Sequence, residues 1–162
     1  MDQHLSPIAP GRSYYQDTVE RPRHPRLEGS RKTDVLVVGG GFTGLSAAIH
    51  LARAGVDVTL VEAHRFGDGA SGRNGGQMGT GQRIWPGEVE ALYGFARSKA
   101  LFDLAEEAKA HLFEFIAAND IDADLRMGQL SVAHKRKYLP EYRDQVEILK
   151  TRYGYDSVSF MD

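Results

Sequence analysis

The sequence VLVVGGGFTG occupies residues 35–44 and joins an aliphatic run to a glycine-rich turn. The run Val35–Val38 is short and lacks polar alternation, which is typical of a strand buried on both faces of a parallel sheet. Gly39, Gly41 and Gly44 then have the G-x-G-x-x-G spacing of a dinucleotide-binding turn. A match to that spacing alone is weak evidence, but the preceding strand and the helix predicted after it strengthen it. The stretch therefore predicts a strand that leads into a phosphate-binding turn.

The residues after this turn complete a βαβ unit. Small and apolar side chains recur at the helical period, at Leu45, Ala48, Ile49 and Ala52. Gly55 marks the end of that helix, since glycine commonly follows a helix C-terminus. The run Val58–Val61 predicts the second strand, and Glu62 follows it, 18 residues after Gly44 and close to the expected ~20. The fold class is therefore α/β, with a Rossmann-type core.

Each residue of the motif has a physical role in this prediction. Gly39 permits the tight turn, Gly41 lets the backbone approach a pyrophosphate, and Gly44 lets the helix lie close to the strand. The helix N-terminus offers amide groups and a positive dipole end to the phosphates. Glu62 is placed to accept hydrogen bonds from the adenosine ribose, and its charge would repel a 2′-phosphate, which argues against NADP.

A second glycine-rich stretch follows directly, with the sequence GDGASGRNGGQMG at residues 67–79. A flexible surface loop is one interpretation, because long loops without periodicity are either functional or disordered. The other interpretation is main chain packed against a flat, polar ring system. An NAD-dependent dehydrogenase has no need of such a loop, so the stretch favours a flavin dinucleotide.

Together these motifs resemble the FAD-dependent D-amino acid oxidase-type family, and most closely its gamma-glutamylputrescine oxidoreductase-like members. Ser13, Tyr14, Tyr15 and Arg21 also resemble that subgroup, so the resemblance spans roughly residues 13–162. It implies FAD as the cofactor and oxidation of a C–N bond of an amine or amino acid. The residues expected to bind the cofactor are Gly39, Gly41, Phe42, Thr43, Gly44, Glu62, Ala63, Ser71, Arg73, Asn74, Gly75, Gly76 and Gln77. No catalytic residue is assigned. Arg73 is the candidate for stabilising an anionic reduced flavin.

Members of this family are more than twice as long and carry a substrate domain. We therefore expect the chain to correspond to the N-terminal portion of such an enzyme, with the substrate domain largely absent and a possible second chain supplying the missing half. Marginal stability and weak FAD retention are expected of it alone. Two alternatives stay open: a non-catalytic nucleotide-binding remnant or half of a split enzyme, and a less favoured NAD-dependent dehydrogenase.

The flanking segments predict one arm, two helices and one extended stretch. Residues 1–33 are expected to form an extended, proline-rich arm over a domain of residues 34–162, with Tyr14 and Tyr15 as anchors; a contact to a phosphate or acidic partner is the alternative.

A helix is predicted from Pro86 to about Ala118. Its apolar stripe comprises Leu101, Leu104, Ala105, Ala108, Leu112, Phe115 and Ile116. Residues 125–133 are predicted to be extended, and a last helix opens near Pro140. Trp85 would either line the flavin cavity or simply pack.

Composition excludes several classes of function. The 162 residues contain no cysteine, which removes disulfides, thiolate metal sites and cysteine nucleophiles, and the scattered histidines predict no metal site. The net charge of −2 is not that of a nucleic-acid binder. The longest aliphatic run has four residues, so no membrane span is predicted, and Met1 to Pro10 lack a signal-peptide pattern. We expect a cytoplasmic protein whose partner is a small amine or amino acid.

Overall fold

Residues 13, 15 and 18–161 are described by the computed structural model. The predictions for Tyr14 and for Met1 to Pro10 lie outside the described residues. Contacts divide the chain into two compact units, residues 1–77 and residues 78–162, each of which is described by itself. The predicted boundary between an arm and a domain, after residue 33, remains a prediction. No helix among the described residues is long and apolar enough to cross a membrane.

The first unit contains the predicted βαβ motif. Its elements are strand β1 (Val35–Val38), helix α1 (Phe42–Arg53) and strand β2 (Val58–Val61). The strands are parallel, with Val35 opposite Val58 and Val38 opposite Val61. Gly55 has a φ of 82° just beyond the helix, a conformation that costs glycine little. The prediction of an α/β, Rossmann-type core is thus confirmed in part, since the sheet of the described residues has two strands.

Strand β1 is less buried than its sequence predicts. The pattern indicated burial on both faces, yet Leu36 is 57% and Val38 78% exposed. Val35 and Val37, which point to the opposite face, are half-buried. The prediction was wrong for one face because α1 packs against the other, and no second layer of described residues covers Leu36 and Val38. A continuous aliphatic run cannot reveal how many layers surround a strand.

The second unit is helical. Its elements are α2 (Pro86–Tyr93), α3 (Phe95–Ala118), a 3₁₀ turn (Arg136–Tyr138) and α4 (Leu139–Tyr153). The single helix predicted from Pro86 is broken at Gly94, whose φ of 80° and ψ of 158° are not helical. Glycine adopts this conformation readily, so it separates α2 from α3. The predicted last helix is confirmed as α4.

The core of the second unit lies where the three helices meet. Val89, Phe102 and Tyr153 are its buried apolar residues, and the Ser98 side chain is buried among them. The predicted α3 stripe is wrong in part, because Leu104 is 61% and Leu112 42% exposed. Helix periodicity predicts correctly that α3 has an apolar face. The packing of α2 and α4 buries the adjacent face, which carries Ser98 and Phe102.

The segment predicted to be extended, residues 125–133, forms no strand with any described residue. Met127, Leu130 and Val132 are 79%, 67% and 70% exposed. Gly128 has a φ of 95°, which agrees with the predicted bend. A strand needs a partner for its backbone groups, and none is present beside this segment in the described part of the chain.

Candidate dinucleotide site

The glycine turn after β1 requires glycine at two positions. Gly39 has a φ of 103°, and its amide donates to the Val61 carbonyl at 2.8 Å. A Cβ atom on Gly44 would lie 1.9 Å from the Gly39 carbonyl oxygen, far inside van der Waals contact. Helix α1 can therefore start this close to the strand only with glycine at position 44. This is the packing role that the sequence predicts for Gly44.

The N-terminus of α1 meets the second glycine loop. The Phe42 amide donates to the Ser71 Oγ at 2.9 Å, and a Cβ atom on Gly41 would lie 2.9 Å from the same oxygen. The amides of Thr43 and Gly44 have no intrahelical acceptor, because they belong to the first turn. Amides at this end of a helix, together with its dipole, favour an anion such as a phosphate.

Glu62 lies directly after β2 and turns back to the glycine turn. Its Oε2 accepts a hydrogen bond from the Gly40 amide at 2.6 Å, and its Oε1 accepts one from the His64 amide at 3.0 Å. The Gly40 hydrogen bond first, and the His64 bond second, hold the pKa of the Glu62 carboxyl below its usual value of 4.5, against the opposing effect of partial burial. The carboxylate keeps further lone pairs for ribose hydroxyls.

This arrangement predicts how the stability of the first unit depends on pH. Since the pKa of Glu62 is lower in the folded than in the unfolded chain, its contribution is complete above the ordinary value of 4.5 and is lost as pH falls below it. We expect Glu62→Gln to reduce the free energy of unfolding at pH 7 by about 1 kcal/mol, because glutamine has one acceptor oxygen and can bond only one of the two amides. The same variant should flatten the loss of stability at acid pH.

Urea unfolding of the wild type and the variant at pH 7 and pH 4 provides the measurement. Glu107→Gln is the matched control, because Glu107 is exposed on α3. If Glu62→Gln and the wild type lost the same stability between the two pH values, this role of Glu62 would be refuted.

The second glycine loop is organised by its own side chains. Residues Ala70–Gly72 form a 3₁₀ turn. The Asn74 side chain bridges the loop, because its Nδ2 donates to the Ser71 carbonyl at 2.8 Å while its Oδ1 accepts from the Gly76 amide at 2.8 Å. Gly76 has a φ of 69°, which explains a glycine at that position. The loop therefore has a defined conformation despite its glycine content.

A cleft of about 400 Å³ opens between this loop and the start of α1. It is lined by Phe42, Ala70, Ser71, Asn74, Gly75 and Gln77. Five of these were predicted from the sequence. Ala70 was missed, although its place directly before Ser71 in the loop motif could have indicated it.

The other predicted residues lie elsewhere in the first unit. The glycine turn and Glu62 adjoin the α1 N-terminus. The residues of the set that are exposed and do not line the cleft are Thr43, Ala63, Arg73 and Gly76. The role of Arg73 beside a flavin therefore remains a hypothesis. Trp85 packs edge-on against Tyr142, with ring centroids 5.9 Å apart, which agrees with the simple packing alternative.

Comparison with known proteins identifies the family. The protein-family model described as FAD dependent oxidoreductase matches residues 34–162. The chain belongs to this family. The family assignment agrees with the flavin interpretation of the second glycine loop and removes the support for an NAD-dependent dehydrogenase. None of the solved structures gives a significant match.

Individual relatives agree with this assignment. The chain is 54% identical, over 97% of its length, to the probable oxidoreductase OrdL of Rhizobium meliloti, and 42% identical, over 84%, to the gamma-glutamylputrescine oxidoreductase of Escherichia coli. It spans about a third of their lengths, 37% and 32% respectively. A shorter match, 44% identical over 38% of the chain, is to one subunit of the anaerobic glycerol-3-phosphate dehydrogenase of Escherichia coli. Similarity in the shared part thus extends to proteins named for different substrates.

The residues of the first unit fit an FAD molecule. Gly44 and Gly39 let the α1 N-terminus and the turn come together at the place where a pyrophosphate would bind, and Glu62 provides an ionised acceptor for a ribose. Phe42 and Ser71 both line the cleft and are joined by a hydrogen bond, so the cleft adjoins the start of α1. A second cofactor segment could therefore lie against the second glycine loop.

Proposed function

We propose that the protein is an FAD-dependent oxidoreductase that oxidises the C–N bond of a small amine or amino acid. The observation that carries this proposal is the hydrogen bond from the Phe42 amide to the Ser71 Oγ, 2.9 Å long. It joins a phosphate-binding turn to a second glycine loop, whose main chain could pack against the flavin ring of an FAD molecule. The name of the Escherichia coli relative, gamma-glutamylputrescine oxidoreductase, supports an amine as the substrate class.

The protein's own residues bind and orient the cofactor in this proposal. Gly41 and the amides at the start of α1 receive the pyrophosphate, and Glu62 receives the adenosine ribose. Asn74 keeps the loop beside the cleft in one conformation through its two hydrogen bonds. Placing the cofactor in a fixed position is the main contribution of the protein to such chemistry.

Bound FAD would accept a hydride equivalent from the substrate carbon next to nitrogen, so that the amine becomes an imine, and dioxygen or another acceptor would reoxidise it. The imine would then be hydrolysed by water to a carbonyl compound and ammonia, or to a carbonyl compound and an amine where the substrate is a secondary amine. We assign no catalytic residue for the C–H cleavage to the described residues. The alternative is a nucleotide-binding module, or half of a split enzyme, that binds FAD without turning over.

Anaerobic substrate addition to the FAD-loaded protein tests this proposal. A gamma-glutamyl diamine and D-alanine represent the amine and amino-acid classes, and glycerol 3-phosphate represents an alcohol substrate. We expect a nitrogen substrate, but not glycerol 3-phosphate, to bleach the visible flavin absorption. Bleaching by glycerol 3-phosphate alone would refute oxidation of a C–N bond. Bound flavin that no substrate bleaches would support the non-catalytic alternative.

A further inference from the structure

Side chains that precede β1 donate hydrogen bonds to two carbonyl groups of the second glycine loop and to the carbonyl of Phe66, directly before it. The Ser13 hydroxyl donates to the Gly72 carbonyl at 2.9 Å, and the Tyr15 hydroxyl donates to the Gly75 carbonyl at 3.1 Å. Gly75 itself lines the cleft, and Gly72 follows Ser71, another residue of the lining. These two hydrogen bonds therefore act on the backbone directly behind the cleft.

Arg21 makes the third contact, at the beginning of the same loop. Its Nη1 donates to the Asp68 Oδ1 at 2.5 Å and to the Phe66 carbonyl at 3.3 Å. The Arg21 and Asp68 side chains are only 21% and 15% exposed, so water screens the pair less than it screens a surface ion pair. Partial burial opposes ionisation of Asp68, but the hydrogen bond and charge of Arg21 outweigh it and lower the pKa of that carboxyl.

Phe66, whose carbonyl accepts from Arg21, also contacts the glycine turn. Its ring covers Gly40 so closely that a Cβ atom on Gly40 would lie 2.1 Å from a ring carbon. The ring of His24 packs on Phe66 with centroids 4.8 Å apart. The Gly67 amide donates to the Gly40 carbonyl at 3.0 Å. The same group of contacts thus fixes the loop relative to the phosphate-binding turn.

Fixing this loop has an energetic consequence for ligand binding. A glycine-rich loop loses more conformational entropy on ordering than an ordinary loop. If the loop is ordered before the ligand arrives, that cost does not reduce the affinity. The contacts also satisfy backbone carbonyls that have no partner in a helix or sheet.

We propose that Ser13, Tyr15, Arg21 and His24, which together form what we call the strap, hold residues 66–77 in the conformation that binds the cofactor. Arg21 and Tyr15 are therefore positioning residues for cofactor affinity, although neither lines the cleft. The inference deepens the proposed function and rests on it for the identity of the ligand. The alternative that this arm contacts a phosphate or an acidic partner remains a prediction, although the Nη1 of Arg21 is engaged by Asp68 and the Phe66 carbonyl.

The first test measures FAD affinity by quenching of flavin fluorescence. We expect Arg21→Ala to raise the Kd for FAD about tenfold, because it removes a charge-assisted hydrogen bond, and Tyr15→Phe to raise it about threefold, because it removes a neutral one. Arg23→Ala is the matched control, since Arg23 is exposed on the same arm and the substitution removes the same charge. Arg23→Ala should leave the Kd unchanged. The double variant Arg21→Asp with Asp68→Arg should recover most of the affinity lost in Arg21→Ala.

The second test needs no cofactor. Hydrogen exchange of the amides in residues 66–77 of the FAD-free protein should be at least about fivefold faster in Arg21→Ala than in Arg23→Ala. If these amides exchanged in Arg21→Ala at the wild-type rate, the proposal that the strap orders the loop would be refuted, whether or not FAD binds. Faster exchange with an unchanged Kd would overturn its role in cofactor affinity. Failure of the wild type to bind FAD would instead overturn the proposed function, and the exchange result would still decide whether the strap orders the loop.

Discussion

Gly44→Ala is expected to abolish measurable FAD binding and to destabilise the first unit. The new Cβ atom would lie 1.9 Å from the Gly39 carbonyl oxygen and 3.3 Å from a methyl group of Val37. The turn cannot move away cheaply, because the Gly39 amide is bonded to Val61. Overpacking typically costs about 1–3 kcal/mol and occasionally more, and contact with a rigid backbone atom belongs at the upper end. Displacing α1 would also remove its amides from the phosphate position.

Gly69→Ala is the control for this prediction. Gly69 lies in the second glycine loop, no atom lies within 4 Å of its Cβ position, and its φ is not positive. Alanine at that site should change neither stability nor FAD affinity appreciably. Urea unfolding and FAD titration of both variants provide the comparison. A Gly44→Ala variant with wild-type stability and affinity would show that the close approach of α1 to the turn is not required.

Tyr153→Ala should cause the largest loss of stability in the second unit. Tyr153 is 3% exposed, and its ring packs against Phe95 and Phe102. Its hydroxyl lies 2.7 Å from the Ser98 Oγ and donates to the Pro86 carbonyl at 3.1 Å. Removing a buried aromatic side chain costs about 3–5 kcal/mol through lost burial and the cavity left behind. The three helices meet at this side chain, so α2 and α4 should both loosen.

Two further variants separate the causes of that loss. Tyr153→Phe keeps the ring and removes the hydroxyl, so it should cost about 1–3 kcal/mol, the range for leaving buried polar groups unpaired. Tyr93→Ala is the control, because Tyr93 is 56% exposed at the end of α2 and should cost less than about 0.5 kcal/mol. Thermal unfolding followed by circular dichroism measures all three. Equal effects of Tyr153→Ala and Tyr93→Ala would contradict a core centred on Tyr153.

The βαβ motif could be predicted from the sequence because its signals are local. An aliphatic run, glycines at fixed spacing and a helical period each specify the conformation of the residues that contain them. Glu62 could be placed at the end of β2 for the same reason. Gly94 carried a local signal too, but a single glycine inside a periodic segment is often tolerated within a helix, so the break between α2 and α3 was missed.

The remaining differences depend on contacts between residues far apart in the chain. Periodicity shows that α3 has an apolar face, but only the packing of α2 and α4 makes Phe102 buried and Leu104 exposed. The exposure of Val38 likewise depends on which layers cover the sheet. In the site, Ser71 was predicted as a cofactor residue, whereas its bond to the Phe42 amide was not. The pairing of Arg21 with Asp68 has no sequence signal, because 47 positions separate the two residues.

Equilibrium titration of FAD with the 162-residue protein tests the central claim of a dinucleotide site in the first unit most directly. We predict saturable quenching of flavin fluorescence with one FAD per chain. ADP should compete, since it shares the pyrophosphate and adenosine that Gly41 and Glu62 are proposed to bind, and Gly44→Ala should remove the signal while Gly69→Ala keeps it. Quenching that does not saturate, or saturable binding that ADP and Gly44→Ala leave unchanged, would contradict a dinucleotide site at this turn.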